Sequence, residues 1–371
     1  MNFRPLVCVK LFTEINHKLL KMKKRRVSKK IRIGNVEIGG NASISIQSMC
    51  TTDTRDVNAT VEQIHKLSDA GCELIRVAIL NKEAAESINE IKKRIKIPLI
   101  ADIHFDYRLA LESINQGIDG LRLNPGNIGN KEHIEKVVKA AKEREIPIRI
   151  GINAGSLEKE LSVNPDKLYK NLVKSALKHV KILENLDFDL IKISLKANDV
   201  PTMIKAYKKM AKKVNYPLHL GVTEAGTIKT GLIKSSIGIG VLLNQGIGDT
   251  IRVSLTDDPV EEVFAGWEIL KALDIRKKGL NLISCPTCGR CEVDIINLAK
   301  QVEEKFRNIK IPLTVAVMGC PVNGPGEAKA ADIGVACAKQ EAYIFKKGEI
   351  LKKIPFQDVI QVLTEEISSL I

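Results

Sequence analysis

Aromatic side chains are scarce in this chain, 4% of 371 residues with a single Trp, so it offers no row of rings on which nucleic-acid bases could stack. Long apolar runs are missing too: no stretch reaches the roughly eighteen apolar residues that a membrane-spanning helix needs. Acids are in deficit, 44 Asp and Glu against 58 Lys and Arg, leaving a formal net charge of +14. Because Lys and Ile are abundant throughout, that charge reads as compositional bias and solubility, and neither nucleic acid nor membrane is an expected partner. The chain does have 44% apolar residues, ample for two packed domains or for one large barrel with an appendage.

The first thirty residues exaggerate the charge. KMKKRRVSKK (Lys21 to Lys30) holds basic residues and Ser without an acid, as a targeting peptide or a nucleic-acid arm would. Glu14, Leu19 and Leu20 do not fit a signal-peptide layout, and Met22 offers a second start just ahead of the patterned chain. Residues 1–30 are therefore expected to be a basic extension, dispensable up to residue 21. Eight cysteines lie at positions 8, 50, 72, 285, 288, 291, 320 and 337. A disulfide framework suits a small secreted domain rather than a long Lys-rich chain, so a reducing, cytoplasmic setting and a metal site are expected.

Between Ile31 and about Leu273, eight short β-like runs alternate with amphipathic helix-length stretches. The strands are expected at Ser43–Gln47, Leu74–Val77, Pro98–Asp102, Gly120–Leu123, Pro147–Gly151, Ile191–Ser194, Leu218–Val222 and Thr250–Ser254. Eight βα units close a parallel (β/α)8 barrel over residues 31–273; a doubly wound open sheet is the structural alternative. A linker containing RKKGLN leads to residues 282–371. There CPTCGRC, a helix-like stretch to about Asn308, the apolar run LTVAVMG, a hairpin over Tyr343–Leu351 and a closing helix over Phe356–Ile367 describe a small α+β domain.

In such a barrel the reacting groups stand at the C-terminal ends of the strands. Those ends carry Gln47 and Ser48, Arg76, Asp102, Arg122 with Asn124, Asn153, Ser194 with Lys196, Glu224, and Arg252 with Ser254. Together with Arg149, several cations occupy positions where Val, Ile or Leu would fill a barrel, and an Arg fork matches two phosphate oxygens at once. A diphosphate-bearing substrate would satisfy them; a ring of ion pairs at the barrel end is the alternative, which the few carboxylates nearby argue against. Asp102, His104 and Asp106 alternate in ADIHFD and fit a mononuclear metal site, an acid-base relay, or a structural His tied to a loop carboxylate. Glu224, alone at its strand end, is the better proton-transfer candidate. LNPGN (Leu123 to Asn127) and GINAGS (Gly151 to Ser156) can each turn backbone N–H groups toward an anion.

Cys285 and Cys288 are spaced for one metal, and Cys320 returns to them after a helix and a strand. The spacing leaves zinc and iron-sulfur both open, and leaves the fourth ligand open between Cys291 and Glu327. A zinc-stabilised nucleic-acid-binding protein would also fit the charge and the CxxC pattern, but it leaves the strand-end cations and Glu224 unexplained. A barrel synthase acting on a phosphorylated pterin-like substrate, with a structural metal, is a further reading.

From about Arg32 to the C-terminus, IGNVEIGG, IQSMCTTDTRD, ADIHFD, LRLNPGN, GINAGSLE, VTEAG, SCPTCGRCEVD and GCPVNGPGEA occur in an order that resembles the 4-hydroxy-3-methylbut-2-en-1-yl diphosphate synthase family. The resemblance implies reductive ring opening and dehydroxylation of 2-C-methyl-D-erythritol 2,4-cyclodiphosphate in the methylerythritol phosphate route to isoprenoids. It implies a [4Fe-4S] cluster on Cys285, Cys288, Cys320 and Glu327, with the carboxylate yielding its place to substrate, and ferredoxin or flavodoxin as electron donor. Substrate contacts fall on Arg76, Arg122, Asn124, Arg149, Asn153, Lys196, Arg252 and Ser254, and the proton donor on Glu224. The family's barrel is similar to that of pterin-binding synthases and its cluster domain to part of sulfite reductase. A homodimer is implied, in which the cluster domain of one subunit caps its partner's barrel. Cys291, beside the cluster motif, and Cys337, in GVACAK, depart from the family's pattern without removing a ligand.

Overall fold

The computed structural model describes residues 23–157, 165–321, 326 and 328–370, and the chain divides into two compact units, Met1–Ile269 and Leu270–Ile371. In the first, an antiparallel hairpin of β1 (Ile31–Ile33) and β2 (Val36–Ile38) precedes eight parallel strands. These are β3 (Ser45–Met49), β4 (Leu74–Ala78), β5 (Leu99–Asp102), β6 (Gly120–Arg122), β7 (Ile148–Asn153), β8 (Ile191–Lys196), β9 (His219–Leu220) and β10 (Thr250–Ile251). They pair in the order β8-β7-β6-β5-β4-β3-β10-β9, and a bridge between Ile193 and Leu218 closes the ring. The expected eight strands form a barrel and not an open sheet.

The helices follow from capped amphipathic runs: α1 (Val57–Ala70), α2 (Lys82–Glu86), α3 (Ile88–Arg94), α4 (Tyr107–Asn115), α5 (Lys131–Glu143), α6 (Pro165–Glu184), α7 (Val200–Met210), α8 (Ile228–Asn244) and α9 (Pro259–Ala272). Asp56, Asn81, Asp106, Asn130 and Asp199 each accept a first-turn N–H of the helix they precede, a contact worth about 1 kcal/mol apiece. The single Trp, Trp267 on α9, is buried and donates to the carbonyl of Gly71 beyond α1, fixing the last helix to the first.

The N-terminal end of the barrel is closed by the β1–β2 hairpin, to which the sequence assigned no strands. Ile31, Ile33 and Ile38 of the hairpin pack on Leu74 and Ile100. The basic stretch is, from Lys23 onward, no free arm. Arg25 pairs with buried Asp249 at 2.7 Å, Arg26 donates to the carbonyls of Val214 and Tyr216, and Ser28 donates to Asp249 at 2.8 Å. Asp249 also accepts the Leu218 N–H, so one carboxylate ties the entering chain to the start of β9.

The second unit is a five-stranded sheet in the order β11 (Leu280–Ser284), β12 (Leu313–Met318), β13 (Ile333–Cys337), β14 (Glu341–Lys346), β15 (Glu349–Pro355). The first three strands are parallel and the last two antiparallel. Helices α10 (Ile295–Phe306) and α11 (Val359–Ser368) bury Leu298, Val302, Phe306, Leu363 and Ile367 against Val315, Val317 and Val335 of the sheet. A smaller cluster of Ala316, Met318, Ala336 and Phe345 lies apart from that core. Strands β11 and β13 went unassigned in the sequence.

Candidate active site

Side chains two apart on a strand face the same way, and in this barrel the inward set is polar. Strand β8 turns Ile191, Ile193 and Leu195 outward and sends Lys192, Ser194 and Lys196 into the lumen, all buried. Strand β7 contributes Arg149, Gly151 and Asn153; β6 contributes Arg122; β5, Asp102; β4, Arg76; β3, Gln47 and Met49. The usual filling of such a lumen is branched aliphatic side chains.

Some of these charges are matched. Asp102 lies 3.6 Å from Arg76 and 3.2 Å from Arg122. Burial pushes the Asp102 carboxyl up, but Arg76, Arg122 and Arg149 together hold it below the ordinary carboxylate value. Burial in turn lowers Arg76 to about 10, against the pull of Asp102. Arg122 lies across β7 and donates to the carbonyl of Gly151 at 3.0 Å; a Cβ on Gly151 would stand 2.6 Å from its Nε, so only glycine leaves the guanidinium room. Asn124 brackets the same residue, donating to its carbonyl and accepting its N–H. Arg252 approaches Glu262 at 3.4 Å, and the Met49 sulfur sits between Arg76 and Arg252. Ion pairing at the barrel end therefore accounts for Arg76, Arg122 and Arg252.

It does not account for Arg149 or Lys196. Arg149 is 3% exposed and its Nε and Nη1 have no hydrogen-bond partner among the described residues. Lys196, buried, lies over Gly221, where a Cβ would meet its Nζ at 3.2 Å, and it pairs with no carboxylate among the described residues. Burial first, and then the neighbouring cations, push both well below their ordinary pKa values. Deeper in the lumen Lys192 Nζ, His219 Nε2 and both amide atoms of Gln47 are also unpartnered. Each buried polar group left without a partner costs roughly 1–3 kcal/mol.

At the rim after β9, Glu224 is exposed, without an ion pair among the described residues, and in a left-handed conformation with φ 52°. That backbone costs about 1–2 kcal/mol for a residue with a Cβ. The other non-glycine residues with positive φ end helices or fill the β14–β15 turn, so Glu224 alone is so held at the barrel mouth among the described residues. Asn153, the last residue of β7, and Ser254, just beyond β10, are half-buried. The three groups of ADIHFD separate: Asp102 serves the arginines, Asp106 caps α4 and grips Arg108, and His104 has neither carboxylate as a hydrogen-bond partner. Burial lowers the His104 pKa, and no metal-binding group of three is found among the described residues.

Sequence reasoning missed Glu262, which pairs with Arg252, and Lys192, which the alternation Lys192, Ser194, Lys196 displays. It also missed His179 on α6, whose Nδ1 accepts the Gly126 N–H at 3.1 Å and so pins the LNPGN loop; a partner so far along the chain leaves no local signal.

In the second unit Cys285 follows β11 and Cys320 follows β12, neighbouring parallel strands. The Gly319 N–H donates to Cys285 Sγ at 3.1 Å, as backbone amides do to metal-bound thiolates. Cys288 is exposed, and the backbone N–H of Arg290 holds its thiol below the ordinary value. Cys291 donates to the Val293 carbonyl and, like Cys285, packs against the domain core that contains Cys337. Glu327 lies outside the described residues.

Residues 28–267 match the family model described as the GcpE TIM-barrel domain, and residues 281–369 that of the GcpE protein C-terminal domain. The chain belongs to the GcpE family. A Dehalococcoides mccartyi protein, 4-hydroxy-3-methylbut-2-en-1-yl diphosphate synthase (flavodoxin), is 58% identical over 348 residues, 93% of this chain and 99% of that protein. Proteins of the same name from Geobacter sulfurreducens and Caldanaerobacter subterraneus are 56% and 58% identical, covering 93% and 94% of this GcpE chain and 98% and 99% of those proteins. Among solved structures, dihydropteroate synthase from Yersinia pestis has a TM-score of 0.51 at 12% identity over 66% of this chain and 98% of that one, a likeness of fold alone.

Proposed function

We propose that this GcpE family member is a 4-hydroxy-3-methylbut-2-en-1-yl diphosphate synthase, which opens the ring of 2-C-methyl-D-erythritol 2,4-cyclodiphosphate by reduction and dehydroxylation. The observation that carries this reading is the pair of buried cations, Arg149 and Lys196, left without carboxylates in a lumen already lined by Arg76, Arg122 and Arg252. Two electrons and one proton enter, a ring C–O bond to phosphate breaks, and a hydroxyl departs as water. The freed diphosphate then carries one more negative charge than the ring, and fixed guanidinium groups favour that charge as it develops.

In this reading residues 31–273 bind the substrate. Arg122, Arg149, Lys196 and Arg252 hold the diphosphate, with Arg76, Asn124, Asn153 and Ser254 completing the contacts. Glu224 gives its proton to the departing hydroxyl. Residues 282–371 carry a [4Fe-4S] cluster on Cys285, Cys288 and Cys320, with Glu327 as the fourth ligand. The donor set fits: all three thiols are free, and an amide already points at Cys285 Sγ. Cys291, whose thiol donates to the Val293 carbonyl, favours Glu327 over itself. When bound, the cluster supplies the two electrons, received from reduced flavodoxin or ferredoxin. The flavodoxin in the relatives' names favours the former. No helix among the described residues is long and apolar enough to cross a membrane, and the free thiols suit a reducing, cytoplasmic setting.

The test is metal and sulfide content with an absorption spectrum on protein purified without oxygen, followed by turnover of the cyclodiphosphate with reduced flavodoxin. About four irons and four sulfides per chain, a spectrum bleached by dithionite, and a homodimer by sedimentation are expected. One zinc and no sulfide after iron-replete growth would sink the reductase reading.

A further inference from the structure

Beside Arg149, one of the cations assigned above to the diphosphate, lies a titratable group without a task. Lys192, the second residue of β8, faces the lumen beside Arg149, its register partner on β7. It is 1% exposed, and its Nζ has no hydrogen-bond partner among the described residues. A cavity too narrow for a water molecule surrounds both residues, lined by Ile33, Ile100, Gly120, Leu121 and Pro147. Apart from Arg149, the residues lining that cavity are apolar, and it has no room for water to solvate the amine.

The charged groups that act on it come from three other strands or their ends: Arg149 on β7, Arg76 on β4, and Asp249 just before β10. His219 on β9 feels Lys192 in turn. Burial, Arg149 and Arg76 all disfavour the ammonium form, and Asp249, already held by Arg25 and Ser28, offsets them only in part. An anion above Arg149 reverses the balance, because it neutralises the cations that expel the proton. A lysine that weakens the empty fold and has no protein partner is explained if its partner is a ligand.

We propose that Lys192 is the proton-accepting floor of the anion site: buried and without a partner in the empty protein, it takes up a proton when a diphosphate fills the lumen, and the resulting ammonium helps to hold the anion. This inference rests on the diphosphate reading above. It adds a binding residue to that site and makes substrate affinity depend on proton uptake. Because the reaction leaves a more negatively charged diphosphate, the charged form of Lys192 is favoured further after turnover.

The experiment is calorimetric titration of the full-length holoenzyme with inorganic pyrophosphate, in buffers of different ionisation enthalpy, which counts protons taken up per anion bound. Against the wild type, Lys192→Met is expected to take up about one proton fewer, to bind pyrophosphate roughly tenfold more weakly, and to melt at a higher temperature when empty. Should the Met variant not fold, Lys192→Gln, which is polar but cannot take a proton, serves the same comparison. Equal proton uptake by wild type and variant, with pyrophosphate bound to both, overturns the role of Lys192 and leaves the diphosphate site standing. Failure of the wild type to bind pyrophosphate at all overturns the site and this inference together.

Discussion

The barrel lumen and the cysteine turns prepare their chemistry in opposite ways. In the lumen, Arg76, Asp102, Arg122, Arg149 and Lys196 sit on strands, buried, with positions set by the β ladder and by glycines cleared for them at positions 151 and 221. Their charges are in surplus before any ligand arrives. In the second unit the thiols sit on turns beyond β11 and β12, Cys288 fully at the surface, and no three ligating side chains converge among the described residues. A site inside strands is thus preorganised at the expense of fold stability. A site on turns leaves the fold undisturbed and, in the proposed reading, would take its final geometry from the metal.

That contrast is most sharply tested where the metal does the organising. Cys320→Ala is expected to lose nearly all iron and turnover, whereas Glu327→Ala keeps most of its iron and loses most turnover; iron and sulfide assays on both variants, prepared without oxygen, decide. Equal iron loss in the two would break the distinction between a structural thiolate and an exchangeable carboxylate. Next in size is Arg122→Ala, which in the proposed reading removes a charge-assisted phosphate contact of about 1.5–3 kcal/mol and is expected to raise KM roughly ten- to a hundredfold. An unchanged KM would remove Arg122 from the site.

Smaller effects probe the packing that preorganises the lumen. Gly151→Ala places a methyl where Arg122 Nε now lies, 2.6 Å from the new Cβ, and is expected to raise KM several-fold with little change in kcat. A KM within error of wild type would show that the guanidinium can lie elsewhere at no loss. Asp249→Asn, far from the mouth, should lower stability by roughly 1–3 kcal/mol, a few degrees in Tm, while leaving kcat intact. Least in size is an acid effect. The folded-state pKa of Asp102 is depressed, so its contribution to stability is present above the ordinary carboxylate value of about 3.9 and is lost as pH falls through the lower folded value. Denaturation profiles of wild type and Asp102→Asn should therefore diverge most near neutral pH and converge in acid; constant separation down to pH about 2 would contradict the ion pairs.

Much of the barrel was legible along the chain because its signals are local. Period-two runs such as Ile191 to Lys196, capping residues such as Asp199 and Asn130, and glycine-rich turns each act within a few residues of themselves. The hairpin β1–β2 was missed although its residues alternate, since a two-stranded ribbon gains its stability by covering Leu74 and Ile100, which no neighbouring residue announces. Strand β13 was passed over because IGVAC, short and apolar, has no period of its own.

The candidate site divides along the same line. Residue type and strand position sufficed to single out the cations, Glu224 and the cysteine spacing, since each expresses chemistry that a side chain carries wherever it is placed. Which cations are matched could not be read from the chain. Arg25 looks like part of a solvated tail until Asp249, 224 residues away, is placed against it. Asp102 looks like a metal ligand until Arg76 and Arg122 close on it. Pairing depends on distance through space, and burial sets how much each unpaired charge costs. Both quantities come into being only when the strands close into a ring.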